Sequence, residues 1–575
     1  MIGKRMIKRS ITFSIVLAIT ACGRGDPEPW TGPVLTPVRD QLTVAQLNGP
    51  EAPPLLDMSY LARPAWAREA GESFSGSISF TETAMVFPKD REPYPGEDLF
   101  PRFTVDFIAH DGELIPGRGG VIETAALSDS FWDVMPGTGK VWQEPGDGGW
   151  SRASFPLNLT DRGYLGQVRN CVATFVYRAA AISNVYVQCS QETADLQAQQ
   201  VGNIRVMAPA SYEPRALEAA GRIIARHRAT EARRIPVRPL REIDRDGEIA
   251  GYFAKSLYTN ASTSVGAVLM DGTLYVNPPM TRHGAYPYPG EMRHGVYSVT
   301  KSMAGALAMF HFAERYGPEL FDELITDHVP ALAAWPGWQG VTFFHALNMA
   351  TGVRAGEAGD LLLQPLVLAP TKQAAIENIA RLGDYPEAPG ERFNYATTNT
   401  FVLSYALQSY VEKREGAGVR YWDLVRENVL RPIDAADFRV LYTRDEEPSE
   451  RIPFLGYGAL PTLDHAAKIA LLIAREGAHG GRQLLNRQKI REAFGRTPWA
   501  GYVTGNPNVR YRHSFWAMAV DAGPCDVDVV FMEGFGSNHV LFLPSGVIVF
   551  RFMDEFDRDF EPLVRAVEEI RPSCR

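Results

Sequence analysis

The chain has 575 residues, a formal net charge of −9, 45% apolar residues and 22% charged residues. That length exceeds what one hydrophobic core normally holds, so two domains are expected, and the apolar and charged shares are those of a soluble globular protein. The negative charge and the lack of a sustained basic stripe argue against nucleic-acid binding. No segment repeats at a fixed period, which argues against a solenoid or propeller.

The first residues are typical of an export signal. Four basic residues precede a short apolar run over 11–19, which is too short for a comfortable permanent membrane span. The run ends in ITAC, whose last residue is Cys22, and this ending resembles the bacterial lipobox, in which the cysteine is lipidated. We predict a signal segment over 1–22, lipid attachment at Cys22, and an exposed tether over 23–50. The protein would be an anchored lipoprotein on the periplasmic or cell-surface side; a plain signal peptide cleaved elsewhere is the alternative.

Four further cysteines remain, and an even number in an exported chain suggests disulfides. Cys171 and Cys189 bracket a segment that is typical of two strands around a turn, so we predict that they pair. Closing a loop of that size contributes about 3 kcal/mol. Cys525 and Cys574 are the remaining candidates for a second bond.

Residues 51–235 are predicted to form a β-rich accessory domain without catalytic motifs. Stretches of β-branched and aromatic residues alternate with Pro-Gly and Asp-Gly pairs. The predicted strands cover residues 77–80, 103–108, 171–178 and 185–188. A helix is predicted from Pro214 to about Arg234, where the sequence IPVRP breaks it and indicates a domain boundary near 235.

Residues 236–575 carry strands at both ends with helices between them. A hairpin is predicted over 264–276 around an Asp-Gly turn. Helices are predicted over 297–317, within 341–352, after 399 and over 464–476, and late strands over 514–520, 527–532, 539–543 and 547–552. Distant segments would then share one antiparallel sheet flanked by helices, which defines an α/β (α+β) domain.

A serine and a lysine lie at the head of the predicted 297–317 helix. Residues three apart lie on one side of a helix, so the Ser298 hydroxyl and the Lys301 ammonium are expected to meet. A desolvated lysine can act as the base that a serine nucleophile needs, and a helix N-terminus favours a developing oxyanion. Ser-x-x-Lys also occurs by chance about once in a chain this long. By itself the pair is equally typical of a helix cap beside a solvated lysine.

Further motifs follow the serine in order: LNMATG at 347–352, PGERFNYATTN around Tyr395, GYG at 456–458 and MEGFGSNHVLFLP at 532–544. With YSVTKS they make residues 240–575 resemble the serine β-lactamase-related hydrolases, especially the class C β-lactamase group with its esterases and the 6-aminohexanoate-oligomer hydrolases. The resemblance implies a serine β-lactamase-like fold, with Ser298 as the acylated nucleophile, Lys301 as its base and Tyr395 as a proton-transfer residue. A tyrosine beside an ammonium is expected to have a lowered pKa.

Two positions depart from the family pattern. The third residue of the Tyr-x-x motif is Thr397 rather than asparagine, and Asn399 is a possible substitute. The late strand has Met532 and Glu533 before Gly534, where the family commonly has Lys-Thr-Gly or His-x-Gly, so the basic residue that would bind a substrate carboxylate is absent. The resemblance places oxyanion donors at two backbone N–H groups. The predicted oxyanion and substrate-binding residues are Ser298 (through its N–H), Phe535, Gly534, Thr397, Asn399 and Glu533.

We therefore predict an exported serine hydrolase that acts through an acyl-enzyme on Ser298 on small ester or amide substrates, with β-lactam hydrolysis less favoured. No cofactor, metal or nucleic-acid partner is expected, and the membrane is contacted through the N-terminal lipid. Metal-dependent hydrolysis is disfavoured because the 11 histidines form no HExxH or HxH motif. The alternative is a catalytically silent relative that serves as a cell-surface binding protein. The joint presence of Ser298, Lys301 and Tyr395 argues against it.

Overall fold

The computed structural model describes residues 39–87, 92–162, 166–190, 204–253, 263–353, 357, 366–382, 387–553 and 559–574. Residues Val38–Arg575 make up one compact unit built around two large sheets. We call the sheet formed between Ser75 and Pro214 the N-terminal sheet, and the sheet formed between Val237 and Met553 the C-terminal sheet. The predicted domain boundary near 235 falls between them and stays a prediction.

The N-terminal sheet is antiparallel throughout its described strands, and its long central pair has side chains buried on both faces. The four predicted strands are confirmed, each within a longer strand. The predicted helix from Pro214 begins later, at Ala220–Ala232, because residues Ala210–Pro214 pair with Ser75–Phe80. The strands are Ser75–Phe80, Phe103–His110, Glu113–Pro116, Trp132–Pro136, Gly139–Gln143, Ser151–Asp161, Val168–Arg178, Ala181–Ile182, Val185–Ser190, Ile204–Ala208 and Ala210–Pro214.

The C-terminal sheet joins distant parts of the chain, as predicted. Thr263–Met270 pairs with Thr273–Asn277 on one side and with Ile548–Met553 on the other, so the early hairpin and the end of the chain share one sheet. In spatial order its strands are Val237–Pro239, Thr273–Asn277, Thr263–Met270, Ile548–Met553, Asn538–Phe542, Asp526–Gly534, Phe515–Asp521, Val509–Arg512 and Tyr502–Val503.

Helices cover both faces of the C-terminal sheet. The larger core packs around Leu307–Tyr316 and Thr397–Glu415, and a smaller one lies under Glu561–Ile570 on the opposite face. Among the described residues of this part, the further α-helices are Glu248–Phe253, Ile325–His328, Pro330–Ala333, Phe343–Leu347, Lys372–Ala380, Tyr421–Val425, Leu463–Ala474 and Arg487–Ala493, with π-helical turns at Lys301–Ala306 and Arg426–Leu430. In the described part of the chain, no helix is both long and apolar enough to cross a bilayer.

The described part of the predicted tether is packed rather than exposed. Thr43 caps a short helix, Val44–Leu47, and the side chains of Leu42 and Leu47 are fully buried. They join an apolar cluster with residues of both halves of the chain, including Tyr186 and Met292. The tether prediction is therefore wrong for residues 39–50, because burying these leucines stabilises the packed state. Residues 1–38, with Cys22, lie outside the described residues.

Both predicted disulfides are present. Cys171 and Cys189 lie directly opposite each other on neighbouring antiparallel strands, and their sulfurs are bonded. Cys525 is bonded to Cys574, so the segment that follows helix Glu561–Ile570 is linked to the residues before strand Asp526–Gly534.

Candidate active site

Ser298 lies on a sharp turn at the head of the central helix. Tyr297 has a φ of +44°, a left-handed conformation that is uncommon for a residue with a side chain. Behind the turn comes the π-helical segment Lys301–Ala306 and only then the α-helix Leu307–Tyr316, so the prediction of one regular α-helix over 297–317 is wrong in its first turns. Ser298 is partly exposed, whereas Lys301 is 1% exposed.

The Lys301 ammonium is held by three hydrogen bonds to neutral oxygens. Its Nζ donates to Ser298 Oγ, to Thr397 Oγ1 and to the Gly456 carbonyl, each at 2.9 Å. The three acceptors, two hydroxyls and one carbonyl, carry no charge. Burial therefore lowers the pKa of Lys301 to about 8, against a weaker opposing effect of the Glu357 charge. A lysine with this pKa is partly neutral near physiological pH and is suited to accept a proton.

Tyr395 stands beside this pair. The centroid of its ring lies 4.7 Å from Lys301 Nζ, and its side chain is hydrogen-bonded to Ser298. Burial raises the pKa of the phenol well above its ordinary value, and the charges of Glu357 and Glu533 act in the same direction. The expectation of a lowered pKa is therefore wrong, because desolvation outweighs the neighbouring ammonium. Tyr395 is therefore a protonated phenol whose side chain is hydrogen-bonded to Ser298.

The structure distinguishes the two candidates for the third position of the tyrosine motif. Thr397 begins the helix Thr397–Glu415 and accepts a hydrogen bond from Lys301 through Oγ1. Asn399 is buried behind it, where its Oδ1 accepts from Thr351 at 3.2 Å and its amide approaches the sulfur of Met349 at 3.9 Å. The shorter threonine thus takes the contact to the lysine, and Asn399 joins the helix to the LNMATG segment.

The end of strand Asp526–Gly534 runs against the nucleophile turn. A Cβ atom on Gly534 would lie 2.1 Å from the Val296 carbonyl oxygen and 3.1 Å from Ser298 N, so only glycine allows this approach. The following ring, Phe535, contacts Tyr297 edge to face at a centroid distance of 5.3 Å. The two segments that carry the predicted oxyanion donors, Ser298 and Phe535, therefore lie side by side.

The two departures on this strand have different positions. Met532 is fully buried in the core under the central helix, so it is a packing residue. Glu533 points to the opposite face, is partly exposed, and its charge raises the pKa of both Tyr395 and Tyr511. The site edge thus carries a carboxylate where the family pattern has a polar or basic residue.

Two participants were not identified from the sequence. Glu357 accepts a hydrogen bond from the Thr397 N–H, and its charge acts on Lys301 and Tyr395. Gly456 supplies the third acceptor for Lys301, a role that the GYG motif alone does not indicate. Among the residues that the structure describes, no three His, Cys, Asp or Glu side chains form a group that could hold a metal ion.

Comparisons with known proteins give one family match and several similar solved structures. Residues 265–546 match the family model Beta-lactamase. Similar solved structures include a putative 6-aminohexanoate-dimer hydrolase from Bacillus anthracis, at 16% identity and a TM-score of 0.42, over 54% of this chain and 79% of that one. A family VIII carboxylesterase has 15% identity and a TM-score of 0.45, over 58% and 98% of the two chains. The D-amino acid amidase from Ochrobactrum anthropi SV3 has 15% identity and a TM-score of 0.41, over 57% and 99%. No curated protein matches the chain.

Proposed function

Residues 265–546 are a domain of the Beta-lactamase family, and from that premise we propose that the protein is an exported serine hydrolase. It forms an acyl-enzyme on Ser298 and hydrolyses ester or amide bonds of small substrates. The observation that carries this proposal is the 2.9 Å hydrogen bond between Ser298 and a buried lysine whose other acceptors are also uncharged. A serine needs a base within hydrogen-bond reach to become a nucleophile, and this lysine meets that requirement.

Acylation begins with proton transfer inside this pair. Neutral Lys301 accepts the Ser298 proton as Oγ attacks the substrate carbonyl carbon. The carbonyl oxygen becomes an oxyanion, and the backbone N–H groups of Ser298 and Phe535 would stabilise it in a water-poor setting. The approach of Gly534 to Ser298 N supports this arrangement, because it keeps the two segments together.

Expulsion of the leaving group requires a proton donor. Tyr395 is protonated and hydrogen-bonded to Ser298, so its phenol is placed to donate to the departing oxygen or nitrogen. The Lys301 ammonium then returns the proton to Tyr395. In the second half-reaction, Lys301 accepts a proton from the water molecule as that water attacks the acyl carbon. The Lys301 ammonium then donates this proton to Ser298 Oγ as the acyl–oxygen bond breaks, so the acid product leaves and both residues return to their starting state.

The charges around the site support a preference for substrates without a carboxylate. Glu357 and Glu533 both act on Tyr395, and Lys301 is committed to Ser298, Thr397 and Gly456. A missing charge-assisted hydrogen bond costs about 1.5–3 kcal/mol, and like-charge repulsion adds to that cost. Neutral esters and amides would therefore react better than penicillins and cephalosporins.

The decisive experiment labels the protein with a fluorophosphonate and locates the adduct by mass spectrometry. We expect the adduct on Ser298, and we expect Ser298→Ala to lose both labelling and hydrolysis of a nitrophenyl ester while remaining folded. Ser449→Ala, at an exposed serine, is the control and keeps both properties. An adduct elsewhere refutes the assignment, and an inert wild-type protein favours the cell-surface binding protein instead.

Membrane anchoring through Cys22 is a separate proposal, supported by the basic, apolar and lipobox segments of the sequence. Several acyl chains on one residue give stable anchoring, whereas a single chain does not. Cys22→Ser should move the protein from the membrane fraction to the soluble fraction. An unchanged membrane fraction, or a mature N-terminus at another residue, contradicts it.

A further inference from the structure

A segment of the N-terminal sheet touches the GYG turn of the active site. Gly166 lies between strands Ser151–Asp161 and Val168–Arg178, and its φ is +68°. A Cβ atom there would lie 2.6 Å from Gly458 Cα and 3.2 Å from Gly458 N. Real Cβ atoms do not approach backbone atoms this closely. The segment at Gly166 can therefore contact the turn at Gly458 only because residue 166 has no side chain.

The turn is equally confined on its other sides. A Cβ atom on Gly458 would lie 2.3 Å from Leu441 Cβ, and one on Gly456 would lie 2.6 Å from Thr397 Cγ2 and 2.7 Å from Thr400 Oγ1. Gly456–Gly458 is therefore enclosed by the N-terminal sheet, by Leu441 and by the first turn of the Thr397–Glu415 helix. Because packed interiors leave few voids, a displacement on one side must be transmitted to the others.

This turn holds the proposed base. The Gly456 carbonyl accepts a hydrogen bond from Lys301 Nζ, and so does the hydroxyl of Thr397, which touches Gly456. Two of the three acceptors of the lysine thus lie at the confined turn. Their positions set the direction of Nζ toward Ser298, its third partner.

Gly166 is itself held firmly within the N-terminal sheet. The Gln167 N–H donates to the buried Asp161 carboxylate at 2.9 Å, and the Asp161 N–H donates to the Gln167 carbonyl at 3.2 Å. A few residues further on, the Asn170 side chain exchanges two 2.9 Å hydrogen bonds with the backbone of Arg293, five residues before Ser298. The sheet is therefore tied to the nucleophile segment as well as to the turn.

We propose that the N-terminal sheet positions the active site, and that Gly166 is a positioning residue that holds the Gly456–Gly458 turn, and through it Lys301, against Ser298. The proposal rests on the hydrolase function proposed above. It gives the β-rich region, which contains none of the proposed catalytic residues, a defined role in turnover.

The test compares Gly166→Ala with Gly112→Ala in the full chain. Gly112 also has a left-handed φ, +74°, but a Cβ atom there meets nothing within 4 Å, so its variant introduces the backbone strain without the contact. We expect Gly166→Ala to lower kcat/KM for a nitrophenyl ester about tenfold or more, because an ångström-scale displacement of a catalytic group has effects of this size. Gly112→Ala should lower the melting temperature and leave kcat/KM unchanged.

The pH profile separates positioning from a general loss of stability. Among the residues that the structure describes, the titratable groups that face Lys301 are Glu357 and Tyr395, and neither is altered in these variants. Displacing the Gly456 carbonyl weakens the hydrogen bonding of the protonated lysine, so the acid limb of kcat/KM should move about half a pH unit lower in Gly166→Ala. It should stay in place in Gly112→Ala.

A second variant keeps the test decisive if Gly166→Ala does not fold. Asp161→Ala removes the acceptor that fixes Gln167 beside Gly166, and we expect a smaller change of kcat/KM and acid limb in the same directions. The positioning role is wrong if Gly166→Ala and Gly112→Ala have equal kinetics. If Gly166→Ala is insoluble, wild-type kinetics in Asp161→Ala would contradict it instead. Failure of the hydrolase proposal appears differently, as a wild-type protein that neither labels nor hydrolyses.

Discussion

Both halves of the molecule bury cations, and a comparison of Arg152 in the N-terminal half with Lys301 in the C-terminal half shows two different surroundings for a buried charge. In the N-terminal half, Arg152 is fully buried and its guanidinium binds both carboxylate oxygens of Asp147, at 2.6 and 3.1 Å, with Glu144 at 3.6 Å. Its remaining nitrogen donates to the Leu42 carbonyl at 2.8 Å, which fixes the N-terminal segment. The charge is matched by carboxylates, and the group serves the fold.

In the C-terminal half, Lys301 is buried to the same degree but donates only to hydroxyl and carbonyl oxygens in the described part of the chain. Burial favours the neutral form of this lysine and lowers its pKa to about 8, because the charge of Glu357 opposes that shift only weakly. A buried cation that donates only to uncharged oxygens and lies beside a partly exposed hydroxyl, as Lys301 does, indicates a catalytic role. A buried cation bound to carboxylates, as Arg152 is, indicates a structural role.

Replacing Lys301 should have the largest effect on turnover. Lys301→Met keeps a chain of similar length but removes the base, so we expect kcat/KM for a nitrophenyl ester to fall by about 10²–10⁴-fold. Circular dichroism should show a folded protein. Activity near the wild-type level would mean that another group accepts the Ser298 proton. Lys301 would then not differ from Arg152 in having a catalytic role.

Replacing the matched cation should affect stability instead. Arg152→Met leaves Asp147 buried without its cation, whereas Glu144 keeps Arg39, and breaking a buried pair lowers the free energy of unfolding by about 3–5 kcal/mol. Denaturant unfolding measures this loss. At denaturant concentrations below the unfolding transition of the variant, kcat/KM should equal that of the wild type. A loss of turnover in the folded variant would contradict a purely structural role for Arg152.

The pH dependence tests the state of Lys301 without mutation. The base must be neutral, and its lowered pKa means that the neutral form appears as pH rises through about 8 instead of the ordinary range near 10.5. Activity should therefore increase with pH up to that value. Below it, kcat/KM should fall about tenfold per pH unit, so the rate at pH 6 should be about a hundredfold below the plateau. An acid limb below pH 5 would point to a carboxylate base.

The sequence predicted the parts of the site that depend on local spacing and on motif order. Ser298 and Lys301 meet because the Lys301 N–H donates to the Ser298 carbonyl at 3.0 Å, and such a turn keeps residues three apart on one side. The order of the motifs correctly placed Tyr395 and Gly534 beside them. Which of Thr397 and Asn399 meets the lysine depends on side-chain length and on the entry angle of a helix, which no motif encodes.

The remaining features arise from contacts between distant segments. Glu357 reaches the site from a part of the chain without a recognisable pattern, and Gly166 belongs to a half with no catalytic motif. The pKa direction of Tyr395 could not be predicted because it depends on total burial and on two carboxylates from other segments. Burial of Leu42 and Leu47 was missed because a few apolar residues among prolines and glycines resemble a linker.

The smallest expected effect concerns the charge of the substrate. It tests whether the carboxylate of Glu533 at the edge of the active site disfavours anionic substrates. The wild type should hydrolyse nitrophenyl butyrate faster than nitrophenyl succinate, an ester of similar length whose acyl group ends in a carboxylate, because the charge of Glu533 reaches Tyr395 beside the nucleophile. One partly exposed charge is worth about 1 kcal/mol, so Glu533→Gln should narrow the ratio of the two kcat/KM values about fivefold. Glu427→Gln, at a carboxylate bound to Arg431 on the surface, is the control and should leave the ratio unchanged. If the ratio does not change in Glu533→Gln, or if the wild type hydrolyses cephalosporins efficiently, Glu533 does not set the preference for neutral substrates. A cationic group elsewhere in the chain would then bind the substrate carboxylate.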